Sequence, residues 1–141
     1  MNNISIVIPV YNEAKILHTF LMYLQEMNSK NIMEFLVVDG QSTDDSKAIV
    51  LEFSKKYTKF KGIDSPKGRA VQMNTAAAQA KGTILYFLHA DSLPPKEFDA
   101  HILKAVGNGS KSGCFKMKFD SSHWGLKIAG WLTQFNWRSC R

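Results

Sequence analysis

The chain has 141 residues, of which 45% are hydrophobic and 21% charged, and this composition predicts one globular domain over residues 1–141. It excludes a disordered, collagen-like or small disulfide-rich protein. The net charge of +6 is uneven: residues 1–53 hold 3 basic and 7 acidic side chains, whereas residues 54–141 hold 15 and 5. A basic half suits phosphate-bearing ligands, nucleic acid or an anionic membrane face, and equally a solvated lysine-rich surface.

Hydrophobic spacing predicts strands and helices that alternate along the chain. The apolar and β-branched runs predict strands over 4–10, 33–38, 60–63, 83–89 and 113–119. Helical spacing predicts helices from Asn12 to about Met27, from Ser42 or Thr43 onward, from Gly68 to Lys81, from Pro94 to about Val106, and over 124–135. This alternation is typical of an α/β fold with a doubly wound, mostly parallel sheet flanked by helices.

Finer features of these elements can also be predicted. Asn12 is expected to cap the first helix, and Ser42 or Thr43 the second, whose first turn would then hold Asp44 and Asp45. The strand over 83–89 is apolar almost throughout, which predicts a central strand covered on both faces.

The location of the protein is predicted from three absences. The longest apolar runs, such as residues 84–88, are too short to span a bilayer, and the first residues lack the basic lead of a secretory signal. Cys114 and Cys140 have no metal-binding spacing, which fits reduced thiols. We therefore expect a cytoplasmic protein, with a membrane-peripheral location as the alternative.

Polar clusters follow four of the predicted strands, at residues 11–13, 39–45, 67–69 and 89–92. The carboxyl ends of parallel strands meet at one edge of a sheet, and ligands bind in the crevice there. The four clusters are therefore expected to converge on one site. The glycine-rich motifs of dinucleotide-binding folds and of P-loop proteins are absent, which argues against both of these kinds of nucleotide-binding site.

Each cluster offers a chemical role and a structural alternative. Asp91 could bind Mg²⁺ or Mn²⁺ or merely cap the following helix, and His89 could be a second ligand or a hydrogen-bonded core histidine. Asp39 could accept a hydrogen bond from a base or a ribose, or brace its turn. Tyr11 could stack on a base or only pack.

The two basic residues that follow the third predicted strand have two possible roles. Lys67 and Arg69 precede and begin a predicted helix, where positive charge suits a phosphate or a base carbonyl. The alternative is an exposed basic loop.

Four stretches together resemble family 2 glycosyltransferases with the GT-A fold: residues 8–13 (IPVYNE), 37–46 (VVDGQSTDDS), 67–95 and 113–119 (GCFKMKF). The combination of GRAVQMN and FLHADS is most similar to the subgroup called radical-SAM/selenodomain-associated transferase 2. The resemblance covers essentially the whole chain and implies a GT-A-type, Rossmann-like sheet. It also implies inverting transfer of a hexosyl-type sugar from a nucleoside diphosphate sugar of the UDP type to an acceptor hydroxyl.

The resemblance implies roles for individual residues. Asp91 matches the acidic motif that holds Mn²⁺ or Mg²⁺ on the diphosphate, although Ser92 and Leu93 follow it where many relatives have a second acid. The predicted substrate-binding residues are Pro9, Tyr11, Glu13, Asp39, Lys67, Arg69, Asn74 and Ala90. The catalytic base of such enzymes is expected beyond Arg141, after a stretch similar to residues 136–139.

Two alternatives stay open at this level. The chain could be a truncated or non-catalytic nucleotide-sugar-binding domain. Trp124, Trp131 and Phe135 in the last predicted helix could pack on the sheet, form a dimer contact or adhere to a membrane surface. A nucleic-acid-binding domain is disfavoured, because the aromatic residues fall in core patterns rather than among the lysines.

Overall fold

The computed structural model describes residues 2–115, so the predicted helix over 124–135 and most of the predicted strand over 113–119 lie outside the described residues. The strands are β1 (Ile4–Val10), β2 (Ile32–Asp39), β3 (Phe60–Asp64) and β4 (Ile84–Phe87). The helices are α1 (Ala14–Glu26), α2 (Ser46–Lys56), α3 (Arg69–Ala77) and α4 (Phe98–Gly107). Residues 1–103 form one compact unit and the residues from Lys104 another, and the single domain over 1–141 stays a prediction.

The four described strands form one parallel sheet in the order β3-β2-β1-β4, flanked by helices. Val10 lies opposite Asp39, and Asp39 lies opposite Asp64, so β1, β2 and β3 end at the same edge. The chain runs from β1 through β2 to β3 in one direction and then returns to add β4 on the other side of β1. This confirms the predicted α/β fold and puts a topological switch point between β1 and β4.

The core centres on β1 and β2. Ile4, Ile6, Val7 and Ile8 are fully buried, which fits a β-branched central strand covered on both faces. The prediction that the strand after α3 would be the central, doubly covered one was wrong for the described part of the chain. There β4 is an edge strand of four residues, and Leu85 and Phe87 are each 40% exposed.

The helix starts differ from the predicted ones. The residue before α1 is Glu13 rather than Asn12, and the residue before α2 is Asp45 rather than Ser42 or Thr43, with no side-chain cap in either case. The predicted caps were wrong because their side chains bind the neighbouring loop instead. Pro94 likewise does not begin α4, which starts four residues later, at Phe98. Within residues 2–115 no helix is long and apolar enough to span a bilayer.

A buried carboxylate ties the strands together away from the ligand edge. Glu34 on β2 is 1% exposed, and its oxygens accept hydrogen bonds from Ser5 Oγ (2.8 Å), Lys61 Nζ (2.5 Å) and the Lys81 backbone N–H (2.6 Å). Burial by itself raises the pKa of Glu34, but these hydrogen bonds and the Lys61 charge outweigh burial and lower the pKa below its ordinary value. Glu34 thus joins β1, β2, β3 and the segment before β4.

Removing the Lys61 charge should weaken this junction. We expect Lys61→Met to lower the free energy of unfolding by about 1–3 kcal/mol at pH 7, the range for hydrogen bonds to a charged group. Since the pKa of Glu34 is lowered on folding, its stabilisation is present above the unfolded value of 4.5 and is lost as the pH falls through the folded value. Urea unfolding should therefore show wild type and variant converging as the pH falls below 4.5.

The matched control is Lys47→Met. It breaks an ion pair of Lys47 with Asp64 at 2.8 Å in which both side chains are more than half exposed, so stability should change little at any pH. An equal loss in both variants would contradict a special role for the buried carboxylate.

Candidate functional site

The loops that follow β1 and β2 are bonded to each other through side chains. The donor and acceptor pairs are Asn12 N–H to Ser42 Oγ (3.0 Å), Thr43 N–H to Asn12 Oδ1 (2.8 Å), Glu13 N–H to Ser46 Oγ (2.9 Å) and Ala14 N–H to Asp44 Oδ2 (3.0 Å). The free amides at the start of α1 are thus satisfied by the loop before α2. A hydrogen bond from Ser46 is the main reason that the pKa of Asp44 lies below its ordinary value.

A buried amide joins the ends of the same two strands. Gln72 on α3 is 3% exposed, and its Nε2 donates to the carbonyls of Val10 and Val38, each at 2.8 Å. Gly40 leaves the space that this side chain fills, since a Cβ there would lie 2.7–2.9 Å from the Gln72 amide atoms. Sequence analysis missed Gln72. Its one signal was a polar side chain spaced four residues from Ala76 on the buried face of α3.

Asp39, the last residue of β2, has a buried carboxylate whose two oxygens differ in their hydrogen bonding. The residue is 3% exposed, and its Oδ2 accepts a hydrogen bond from the Ser42 backbone N–H at 3.1 Å. Its Oδ1 is buried and has no hydrogen-bond partner among residues 2–115. A buried acceptor without a donor is costly, so this oxygen is suited to a ligand that brings an N–H or O–H group.

A cation and an aromatic ring are in contact just beyond the end of β1. Lys67 Nζ lies 4.1 Å from the centroid of the half-buried Tyr11 ring, which follows the strand partner of Asp39. The loop that carries Lys67 is held at its start by the Ser65 N–H, which donates to the Asp39 carbonyl at 3.0 Å. Gly68, with a φ of 139°, then turns the chain into α3, whose first residue is the exposed Arg69.

Asp91 lies four residues beyond the end of β4, on the other side of the switch point. It is exposed, and its Oδ1 accepts a hydrogen bond from Ser92 Oγ at 3.1 Å. It does not cap α4, which begins at Phe98. No group of three or more His, Cys, Asp or Glu side chains suited to a metal occurs among the described residues. One exposed carboxylate fits a divalent cation that takes its other ligands from phosphates and water.

A family model decides what kind of domain this is. Residues 5–131 match the model described as glycosyl transferase family 2. The chain belongs to this family. Its sheet is a GT-A sheet, as the family resemblance in the sequence implied.

Individual proteins similar to this chain carry the names of glycosyltransferases or were solved with nucleotide sugars. The chain is 28% identical over 122 residues to a probable glycosyltransferase, YdaM, of Bacillus subtilis (strain 168), covering 82% of this chain and 29% of that protein. The mannosyltransferase PcManGT from Pyrobaculum calidifontis, solved with GDP-Man and Mn²⁺, matches with a TM-score of 0.59 and 27% identity over 74% of this chain and 31% of that one. TarS 1-349 of S. aureus, solved with UDP-GlcNAc, matches with a TM-score of 0.62 and 25% identity over 75% of this chain and 31% of that one. The chain thus spans about a third of the length of the curated relatives it matches.

The remaining predicted ligand residues are spread more widely within this family 2 domain. Pro9 and Glu13 are half-buried at the end of β1 and just after it, and Ala90 is buried beside Asp91. Asn74 is exposed on α3, away from the face that buries Gln72. The structure therefore brings Lys67 into contact with Tyr11, which comes one residue after the strand partner of Asp39, whereas the ligand roles of all eight predicted residues stay predictions. His89 is half-buried, and the choice between a second metal ligand and a hydrogen-bonded core histidine stays a prediction.

The contact between Gly40 and Gln72 can be tested by a double-mutant cycle. We expect Gly40→Ala to destabilise the protein by about 1–3 kcal/mol, because the added Cβ displaces an amide that two buried carbonyls need. In a Gln72→Ala background the same substitution should cost much less, since the space is then free. Urea unfolding of the four proteins measures both losses, and equal losses in the two backgrounds would refute the proposed contact.

Proposed function

We propose that this chain is the donor-binding part of a family 2 glycosyltransferase that uses a nucleoside diphosphate sugar, with a uridine nucleotide favoured. The proposed reaction is inverting transfer of a hexose-type sugar to an acceptor hydroxyl, assisted by Mn²⁺ or Mg²⁺ at Asp91. The family membership and the resemblance to enzymes solved with UDP-GlcNAc and GDP-Man support this proposal. We further propose membership of the radical-SAM/selenodomain-associated transferase 2 subgroup and a cytoplasmic location, with membrane-peripheral attachment as the alternative.

The observation that carries the proposal is the unpartnered Oδ1 of Asp39 beside Tyr11. An ionised carboxylate only accepts hydrogen bonds, so the ligand must present a donor there. A ring N–H of uracil or guanine, an amino group of adenine or cytosine and a ribose hydroxyl all meet this requirement, and the similarity to an enzyme solved with UDP-GlcNAc favours uridine. Tyr11 would then stack on the base, and an aromatic platform of this kind contributes about 1–3 kcal/mol per base.

The chain's own residues would act on the donor in the following way. Asp39 and Tyr11 hold the base, and the exposed cations Lys67 and Arg69 supply positive charge for the diphosphate. A divalent cation held by Asp91 would neutralise charge on the leaving nucleoside diphosphate. The acceptor oxygen bonds to the anomeric carbon as the bond from that carbon to the diphosphate oxygen breaks, and the acceptor proton passes to a general base.

A non-catalytic or partial nucleotide-sugar-binding domain is the second candidate. It is favoured by one observation, which is that the chain spans about a third of the curated relatives it matches. Both candidates need the same donor site, so nucleotide binding tests what they share and donor hydrolysis or sugar transfer separates them.

The Asp39 oxygen should decide nucleotide binding. We expect UDP at 100 times its Kd, with Mn²⁺, to stabilise the wild-type chain by roughly 2.7 kcal/mol, which raises the Tm by several degrees. Asp39→Asn should fold normally, because the amide oxygen can still accept a hydrogen bond from the Ser42 backbone N–H. Its new N–H₂ group opposes the N–H of the base, so UDP should raise the Tm of this variant less than that of the wild type. Thermal unfolding with UDP, GDP, CDP and ADP checks both expectations.

The matched control is Asp64→Asn, at the exposed strand position opposite Asp39. It should leave the nucleotide-induced shift intact. A cooperative wild-type transition that no nucleotide moves would refute the donor site in both candidate functions.

Binding of the metal ion should depend on the presence of the nucleotide. With a single carboxylate at the site, Mn²⁺ alone should shift the Tm little, whereas Mn²⁺ with UDP should shift it more than UDP does. Asp91→Asn should abolish that increment, while Asp45→Asn, another exposed carboxylate, should keep it. A full Mn²⁺ increment in Asp91→Asn would place the metal on other residues.

A further inference from the structure

The contact between Lys67 and Tyr11 is one that the proposed donor site does not by itself explain. The ammonium nitrogen lies 4.1 Å from the ring centroid, within the range of a cation–π interaction. Neither ion pair among the described residues includes Lys67. The contact that the structure gives its ammonium group is the one with the Tyr11 ring.

Both members of this contact are tied to Asp39 through short stretches of backbone. Tyr11 comes one residue after Val10, the strand partner of Asp39. Lys67 comes two residues after Ser65, whose N–H donates to the Asp39 carbonyl. The covered ring face and the unpartnered oxygen are consequently parts of one small region at the ends of β1 and β2.

A base that stacks on the covered face of Tyr11 needs the space that the Lys67 ammonium takes. Stacked carbon atoms pack at about 3.5–4.0 Å, which is the layer above the ring that the ammonium now takes. Lys67 is exposed and its side chain has four rotatable carbon–carbon bonds, so it can leave without moving the backbone. Once it leaves, a phosphate of the ligand can accept a charge-assisted hydrogen bond from it.

We propose that Lys67 is a displaceable cover of the nucleoside site: it lies on Tyr11 in the empty site, and the base drives it onto the donor's diphosphate. This inference rests on the proposed function, because it needs a nucleotide to bind at Tyr11 and Asp39. Lys67 then weakens the binding of a bare nucleoside, because nothing replaces the cation–π contact that its ammonium group loses. It strengthens the binding of a nucleoside diphosphate, because a charge-assisted contact with the phosphate replaces the cation–π contact. The residue thereby makes the site select phosphorylated ligands.

The test compares uridine with UDP on the full chain, with guanosine and GDP in parallel, by NMR titration. Lys67→Met keeps most of the aliphatic stem and removes the charge. We expect it to bind the nucleoside about two- to fivefold more tightly, which corresponds to losing an exposed cation–π contact. The nucleoside diphosphate should bind more weakly, so the preference for diphosphate over nucleoside falls by about tenfold.

Two further variants make the result specific. Lys67→Arg keeps a cation that can bind both ring and phosphate, and it should retain the wild-type preference. Lys56→Met removes the comparable contact of Lys56 with Tyr57, where the nitrogen lies 5.3 Å from the ring centroid at the other end of α2, and should change neither affinity. Without ligand, Lys67→Met and Lys56→Met should each lower the Tm by at most a few degrees, the cost of one exposed cation–π contact.

Each outcome is decisive. If Lys67→Met bound the nucleoside with unchanged or weaker affinity, Lys67 would not be a cover of the nucleoside site. If it bound the nucleoside diphosphate with unchanged affinity, Lys67 would not move onto the diphosphate. Either result would leave the proposed function standing, since nucleotides would still bind. Failure of the wild type to bind either nucleotide would instead refute the proposed function, and the cover with it.

Discussion

One buried amide nitrogen holds the last residues of the two central strands together, and the crevice is built around it. Gln72 Nε2 donates to the carbonyls of Val10 and Val38, each at 2.8 Å, and Gly40 leaves the room that its side chain needs. Tyr11 and Asp39 each follow directly in the chain. The positions of a candidate stacking ring and of a candidate base acceptor are therefore both set by a residue from α3. Losing this amide would leave two buried carbonyls without a donor, at a site where water is excluded.

Some carboxylates among the described residues accept several hydrogen bonds from the protein, and others have an oxygen that is available to a ligand. Glu34 accepts from three donors of the protein, and Asp44 binds backbone N–H groups at the starts of α1 and α2. Asp39 uses only one of its two oxygens, and Asp91 is exposed with a serine hydroxyl on one oxygen. In the basic half, Lys67 and Arg69 are exposed in the loop after β3 and at the start of α3. The uneven charge noted in the sequence thus brings cations to the edge where a diphosphate is proposed to bind.

Sequence reasoning failed where hydrogen bonds decided the structure. Asn12 has the chemistry of a helix cap, yet its side chain accepts from Thr43 and its own φ is 55°. The apolar run before His89 has the composition of a central strand, yet in the described part of the chain β4 is an edge strand. Periodicity reports how apolar a segment is, but it does not report which strands flank it.

The sequence by itself determined the alternation of strands and helices, the first three strands to within a residue or two at each end, and the residues that stand at strand ends. These depend on local spacing, because side-chain period and turn residues are properties of neighbouring positions. The tertiary structure alone decided the strand order, the partners of Glu34 and Gln72, the free oxygen of Asp39 and the contact of Lys67 with Tyr11. Gln72 meets carbonyls 62 and 34 residues away, and no local pattern encodes pairings at such separations.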